Sequence, residues 1–543
     1  MNKALLYTLL ILHFSGALGA CTAIAVGKKA TTDGSVIVSQ TDTGADSRIF
    51  RVAAKRFKPG AMAPVYLDIQ DINLPLHDDG RILGYIPQVE QTYAYFHSAY
   101  SHINEHQLAM AESTLSQRDE LVVTPETGKQ IMTIEQAMIF ALQRHKKSKE
   151  ATTFIGELMT RYGFLPSCAD GSESLMIGDT YEVWVFEVFS VGPGWTPESG
   201  KPGAIWAARR LADDQTVMIP NWSIIKEINL DKPDEFMASS NYMQEAVDRG
   251  WYQPSSGKPF IWQDVYSPLP AEWATSRFWS FHHRFAPDAV PLPDRTLKND
   301  PYAGLNQYVQ TVEPLSIYPF SVKPTKKISV LDIMAFQRSV HEGSIYDMSE
   351  DPAWYHPDGK GGMQKSPLAT PFPSGNLRKL LRITNRRPVA RHRGEYGMIA
   401  QLRGWLPPEI GGVYYVYLDN PYFSPYLPIY TGNLSVHPSY NTYSPKVYDE
   451  GSARWAYDFV DNLATLGFAQ ASEHVLERRA AFEMALLKAM SAAEDKALAL
   501  GKKDSRAVRE YLTRFCNDWM AKSTKLFLEL RNELIVKLTN NRE

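Results

Sequence analysis

The sequence predicts a mixed α and β fold, on three observations. Short β-branched runs come in pairs around turn residues, a long amphipathic stretch is interposed among them, and the C-terminal region is rich in Ala and Leu at helical spacing. The 543 residues are 44% apolar and 22% charged, enough to bury a large core without disulfides or metal. The formal net charge is -3, with Lys and Arg scattered rather than blocked. That pattern carries no nucleic-acid footprint and points to a small partner.

Residues 1–20 stand apart. Lys3 precedes an apolar run from Ala4 to Leu18, broken by Tyr7, Thr8, His13, Ser15 and Gly16, and Leu18-Gly19-Ala20 closes it. This is the pattern of an export leader, too short to span a bilayer permanently. The mature chain is therefore expected to be periplasmic or extracellular. Ala20 suits a cut that leaves Cys21 first, whereas Ala17 and Gly19 favour a cut that leaves Ala20 behind. Leu18-Gly19-Ala20-Cys21 also fits a bacterial lipoprotein box, in which the cysteine sulfur is acylated and the protein anchored to a membrane. The leader alone fits both. The chain has three cysteines, Cys21, Cys168 and Cys516. An odd count in an oxidising compartment keeps at least one thiol out of a disulfide. Cys21 is the natural candidate, with a Cys168–Cys516 pair left open.

The elements follow in order. Residues 22–27 and 35–39 are β-branched runs around a polar segment that ends in Asp33-Gly34, the pattern of a hairpin. A turn centred between residues 30 and 34 sets Cys21 opposite a position between Gln40 and Asp46, so Asp42 and Asp46 both return to its neighbourhood. Strand-type runs at 92–95 and 107–111 flank Asn104-Glu105-His106. Ile134, Ala137, Met138, Ala141 and Leu142 predict a helix from residue 133 to about 162, stopped by Gly163. Residues 175–177 and 183–188 predict a second hairpin around Asp179-Thr180. Residues 230–330, rich in Pro and aromatics with little periodicity, read as loops and short elements. Strand-type runs return at 396–402 and 412–418, and helix is expected from about Gly451 onward.

A cysteine at a free N-terminus can serve as both nucleophile and base, because its α-amino group, with a pKa near 8, sits beside its own thiol. His102 and His106 are four residues apart but fall in a partly strand-type segment, and no His-Glu-x-x-His occurs. Neither a metal nor any other cofactor is expected. Gly361-Gly362 and Gly411-Gly412 are too sparse for a phosphate-binding loop. The aromatics around Trp273, Trp279 and Phe281 and around Tyr414, Tyr415 and Tyr417 read first as core, with room for an apolar groove.

Several segments together resemble the cysteine dipeptidase family of N-terminal-nucleophile hydrolases, relatives of penicillin V acylase and bile-salt hydrolase. They are Cys21-Thr22-Ala23-Ile24-Ala25-Val26-Gly27 with Asp33-Gly34-Ser35, Ile103-Asn104-Glu105-His106 with Glu112-Ser113-Thr114, and Glu182-Val183-Trp184. Trp206-Ala207-Ala208-Arg209-Arg210, His341-Glu342-Gly343 with Asp347, and Trp405-Leu406-Pro407 with Gly411-Gly412-Val413 continue the likeness. Cys21 leads straight into a strand, unlike the polar tether of a lipoprotein.

The resemblance implies a four-layer αββα core spanning residues 21–450 with loop-rich insertions, followed by a helical region at 451–543. It implies amide hydrolysis, with dipeptides as the expected partners and N-acyl amides or a non-catalytic lipoprotein as the alternatives. No nucleic acid is expected, a membrane only if Cys21 is lipidated, and the oligomeric state stays open. In role, Asp42 matches the acid that holds the N-terminal amine and nucleophile, Asn221 the oxyanion donor, and Arg277 a distant arginine at the thiol. Glu105 and Glu112, with Asn104 beside them, lie in the segment expected to meet the substrate amine. The family often has Arg-Asn-Glu-Asp where this chain has Gln40-Thr41-Asp42-Thr43, so a positive charge that would favour the thiolate is missing there.

Overall fold

The computed structural model describes residues 21–43, 46–67, 69–70, 80–167, 171–267, 272–297, 315–392, 394–502 and 504–539. The expected leader and Cys168 lie outside the described residues. In chain order the strands begin with β1 (Thr22–Val26), β2 (Val36–Asp42), β3 (Phe50–Val52), β4 (Met62–Leu67) and β5 (Arg81–Pro87). Next come β6 (Tyr95–His97), β7 (Ser101–Asn104), β8 (Ala109–Leu115), β9 (Ser172–Gly178), β10 (Val183–Ser190) and β11 (Ala204–Arg210). They end with β12 (Thr216–Ile219), β13 (Phe236–Ala238), β14 (Tyr355–Pro357), β15 (Met363–Lys365), β16 (Tyr396–Leu402), β17 (Gly412–Leu418) and β18 (Leu427–Tyr430).

Among the described residues the strands form a six-stranded sheet, β12-β1-β2-β16-β17-β18, and an eight-stranded sheet, β13-β11-β10-β9-β8-β7-β6-β3. The ladders within both are antiparallel among the described residues. Separate hairpins pair β4 with β5 and β14 with β15. The first hairpin forms as its sequence predicts. Asp33 Oδ1 accepts from the Ser35 N–H at 3.1 Å and the Ser35 hydroxyl at 2.6 Å, and Gly34 takes φ +86°, a conformation open to glycine. β1 and β2 are buried along their whole length, because β1 and β2 pack on β8 and β9 of the other sheet. The approach is close: a Cβ on Gly178 of β9 would fall 2.6 Å from Val38 Cγ2 of β2.

The helix expected over 133–162 is two helices, Ile134–Arg144 and Ser148–Tyr162. Thr133 caps the first and Gly163, at φ 73°, ends the second, as their residue types predict. The break between them has a tertiary cause. The Asn104 amide donates to the Leu142 and His145 carbonyls, both at 2.8 Å, and Asp179 Oδ2 accepts from the Ser148 N–H at 2.9 Å, starting a new helix. These helices lie on the larger sheet, whereas Val330–Gln337 contacts β2 and β16 of the smaller one.

Residues 230–330 hold more order than their composition suggested. A 14-residue helix, Glu272–Phe285, buries Ala274, Phe278, Phe281 and Phe285 on one face. The C-terminal region is helical as expected, with Ala453–Ala464, Phe468–Gly501 and Ser505–Thr539. The last of these buries Leu512, Cys516, Met520, Phe527, Leu530 and Leu534 at steps of three, four and seven and lies against β18. Cys516 is a buried free thiol whose pKa burial pushes up to about 12. These helices belong to the same hydrophobic cluster as both sheets.

Candidate active site

Cys21 stands one residue before β1. The β1–β2 ladder pairs Thr22 with Thr41, so the next position pairs Cys21 with Asp42, the last residue of β2. The Cys21 Sγ lies 3.3 Å from Asp42 Oδ1. Asp46, the other acid expected nearby, is held by its own neighbour: Arg48 Nη2 lies 2.7 Å from Asp46 Oδ2. The register thus selects Asp42.

The facing sheet contributes a second carboxyl. Glu112 of β8 places Oε2 3.3 Å from the Cys21 Sγ. Gln40 holds it from the opposite sheet, accepting the Glu112 N–H at 2.7 Å and donating to Glu112 Oε2 at 3.3 Å. The residue that departs from the family's usual arginine therefore ties the two sheets together at the thiol. The Thr114 hydroxyl donates to Glu112 Oε1 at 3.2 Å. Burial pushes the Glu112 pKa up to about 7, the Asp42 charge adds to the rise, and hydrogen bonds with Glu173 and Cys21 oppose it.

Positive charge arrives from the Glu272–Phe285 helix. Arg277 is fully buried and donates through Nη1 to the Cys21 carbonyl at 2.6 Å and the Thr22 hydroxyl at 2.9 Å. Its Nη2 donates to the Pro220 carbonyl at 2.6 Å, and both Nη atoms reach Asn221 Oδ1, at 3.3 and 3.2 Å. Burial lowers its pKa to about 9 and the like charge of Arg391 adds to this, while a Cys21 thiolate opposes it.

Asn221 follows β12 with φ 61°, in the left-handed region. Its N–H donates to the Ser113 hydroxyl at 3.1 Å and its side-chain amide to the Thr114 carbonyl at 2.9 Å. Asn221 Oδ1 also accepts from Arg387 Nη2 at 2.8 Å. The side chain is thereby fixed on the same strand, β8, that presents Glu112.

Five of the residues singled out in the sequence, Cys21, Asp42, Glu112, Asn221 and Arg277, thus converge. Asn104 and Glu105 do not join them. Asn104 Oδ1 accepts from the N–H groups of His106 and Leu108, at 2.9 and 3.1 Å, and its amide closes the first helix, so it is a structural turn residue. Glu105 accepts from the Ala94 N–H at 2.9 Å and faces Arg509 of the last helix at 3.5 Å. Both sit at the β7–β8 turn, beyond the Ile103–Ala109 pair, whereas Glu112 lies in the middle of β8. The sequence reading missed Arg387 and Arg391. Their signal was the cluster Arg386-Arg387-Pro388 followed by Arg391.

Beside these residues opens a cleft of about 400 Å³, walled by Trp273, Phe372, Arg378, Arg387 and Arg391. Trp273 is the link to the thiol. Its carbonyl accepts from Arg277 Nε at 2.8 Å, and its ring lies under the Arg387 guanidinium at 5.2 Å. A larger depression of about 830 Å³ lies at the break between the first two helices, lined by His145, Lys147 and Tyr181, and shares no wall with the thiol site.

The model of peptidase family C69 matches residues 20–480, a span that holds every residue of this site. Curated relatives match over most of both chains. A probable dipeptidase of Latilactobacillus sakei is 22% identical over 438 residues, covering 79% of this chain and 78% of its own. A probable dipeptidase of Salmonella dublin is 22% identical over 460 residues, covering 81% and 87%. Probable dipeptidase B of Lactococcus lactis subsp. lactis is 24% identical over 445 residues, covering 80% and 79%.

Proposed function

Because the chain belongs to peptidase family C69, we propose that it is a cysteine dipeptidase that opens the amide bond of dipeptides through a thioester on Cys21. The observation that carries this is the Cys21 Sγ at 3.3 Å from both Asp42 and Glu112, with its carbonyl clamped by Arg277 at 2.6 Å. The names of the relatives, probable dipeptidase, favour dipeptides over N-acyl amides.

Removal of residues 1–20 would give Cys21 a free α-amino group. That amine takes the thiol proton, and sulfur attacks the scissile carbonyl. Asn221 holds the charge that develops on the carbonyl oxygen. The tetrahedral adduct collapses as the C–N bond breaks, and the ammonium returns its proton to the departing amine. Water, deprotonated by the same amine, then splits the thioester and restores the thiol. Asp42 orients the N-terminal amine and stabilises the ammonium it becomes on taking the thiol proton, and Glu112 is placed to receive the free amine of the substrate.

The N-terminal-nucleophile αββα core belongs to this proposal. It is supported by two facing antiparallel sheets with helices against each, and by a nucleophile that immediately precedes an inner strand. So does the division into a catalytic unit at 21–450 and a helical region at 451–543, and so does export by way of the leader. Lipidation of Cys21 is disfavoured by a residue only 1% exposed whose sulfur sits between two carboxyls. N-terminal sequencing and intact mass of the active protein test the maturation: the chain should begin at an unmodified Cys21. Cys21→Ala should abolish dipeptide hydrolysis with the fold intact, and Cys21→Ser should leave a trace at most. Undiminished hydrolysis by Cys21→Ala would end the proposal.

A further inference from the structure

We propose that the arginine-walled cleft beside Trp273 binds the free α-carboxylate of the substrate's C-terminal residue, with Arg391 as the principal partner and Arg387 beside it. The proposal rests on the dipeptidase reading and adds to it a determinant of specificity.

The first support is a missing partner. Several buried or half-buried arginines of this chain meet carboxylates: Arg454 pairs with Asp419 at 3.3 Å, Arg403 with Glu494 at 2.9 Å and Arg338 with Glu483 at 2.5 Å, whereas Arg277 is satisfied by carbonyls, the Thr22 hydroxyl and Asn221. Arg386, which also borders the cleft, is already paired with Glu272. Arg391 is half-buried and forms no ion pair among the described residues, and neither does Arg378 across the cleft. A half-buried guanidinium with no anion opposite is a charge that an incoming carboxylate would pair. The guanidinium fork also matches a carboxylate in shape.

The second support is reach. In a dipeptide the α-carboxylate is one residue from the scissile bond, about 3.8 Å of chain, so its binder must stand next to the nucleophile. Arg387 donates to the same Asn221 Oδ1 that Arg277 reaches, and Arg277 binds the Cys21 carbonyl. Arg391 lines the same cleft as Arg387 and Trp273, so it stands beside the guanidinium that reaches Asn221. The third support is polarity. The thiol contacts two carboxyls, Asp42 and Glu112, while the arginines gather by its carbonyl and beyond Asn221. A zwitterionic dipeptide presents one charge to each group.

The test compares a dipeptide with its C-terminal amide. For the natural enzyme kcat/KM should favour the free acid by about tenfold to a hundredfold, the size expected for a charge-assisted hydrogen-bond pair. Most of the difference should lie in KM. Arg391→Gln should bring the acid-to-amide ratio toward one, and Arg391→Lys, which keeps the charge but not the fork, should restore part of it. Calorimetric titration of Cys21→Ala with the same two ligands reads the site without chemistry, and the acid should bind more tightly by a similar factor. Equal binding of acid and amide, binding of neither, or an unchanged ratio in Arg391→Gln would overturn the inference. Selective binding of the acid together with no turnover by the natural enzyme would support the carboxylate site and overturn the dipeptidase reading alone.

Discussion

The Cys21 thiol reaches Asp42 across a hairpin whose register is fixed on both sides: Thr22 pairs with Thr41 on one, and Asp42 itself pairs with Tyr396 of β16 on the other. The Asp42 backbone is held by the sheet, so its side chain can be changed without moving the strand. Asp42→Asn should therefore lower kcat/KM for a dipeptide by about 10²–10⁴, the range for loss of a group that sets proton transfer. Its thermal midpoint should stay close to that of the natural protein. Steady-state kinetics beside a melting curve check this, and full activity in Asp42→Asn would remove the residue from the mechanism.

Asn221 separates chemistry from conformation. Its φ of 61° suits glycine and asparagine and strains other residues. Asn221→Gly and Asn221→Ala both delete the amide and the acceptor used by Arg277 and Arg387, so both should lose about 10²–10³ in kcat. They should differ in stability, with the alanine variant about 1–2 kcal/mol weaker than the glycine variant in denaturant unfolding. A glycine variant that turns over at the natural rate would take the oxyanion away from this side chain.

What could be read from sequence follows from where the information lies. The first hairpin and the 175–188 hairpin were legible because alternating β-branched residues and an Asp-Gly or Asp-Thr turn are local signals. Asp42 was legible as one of two choices; the β1–β2 ladder, with Thr22 on Thr41, makes the choice, and the pairing of Asp42 with Tyr396, 354 residues away, holds it from the other side, a contact that no local pattern contains. The single helix expected over 133–162 failed for the same reason, since the break is imposed by Asn104 and Asp179. By contrast, the Glu272–Phe285 helix could have been seen. Ala274, Phe278, Phe281 and Phe285 step by four, three and four, hidden only by the aromatic composition around them.

Glu112 makes stability depend on pH in a defined direction. Burial raises its folded pKa to about 7, against an ordinary 4.5. Between those values the native state holds a proton that the unfolded chain has released, so this group's contribution is full below pH 4.5 and is lost as pH rises through 7. Glu112→Gln keeps the hydrogen-bonding shape and removes the titration. From about pH 5 to about pH 8 the natural protein should lose on the order of 3 kcal/mol more than the variant. Glu395, raised by burial to about 7, and Asp347, raised to about 6, titrate in both proteins, so the difference between the two curves belongs to Glu112. Parallel curves would show that the buried carboxyl carries no such linkage.

The C-terminal helices are tied to the site through Arg454. Arg454 of the Ala453–Ala464 helix is buried and lies 3.3 Å from Asp419, 3.3 Å from Asp458 and 3.4 Å from Glu395. Glu395 in turn donates its N–H to the Asp42 carbonyl at 3.2 Å, so this charge cluster sits directly behind the carboxylate that faces the thiol. Replacing Arg454 with leucine fills the space but leaves three carboxylates, the fully buried Asp419 among them, without their shared cation. The expected loss is about 3–5 kcal/mol of unfolding free energy. Arg506→Ala, which breaks an exposed pair with Glu510 one helical turn away, should cost no more than about 0.5 kcal/mol. If the Arg454 cluster also sets the position of Asp42, dipeptide turnover by Arg454→Leu should fall even under conditions where unfolding measurements show the variant fully folded. Natural turnover in the folded variant would confine Arg454 to stability.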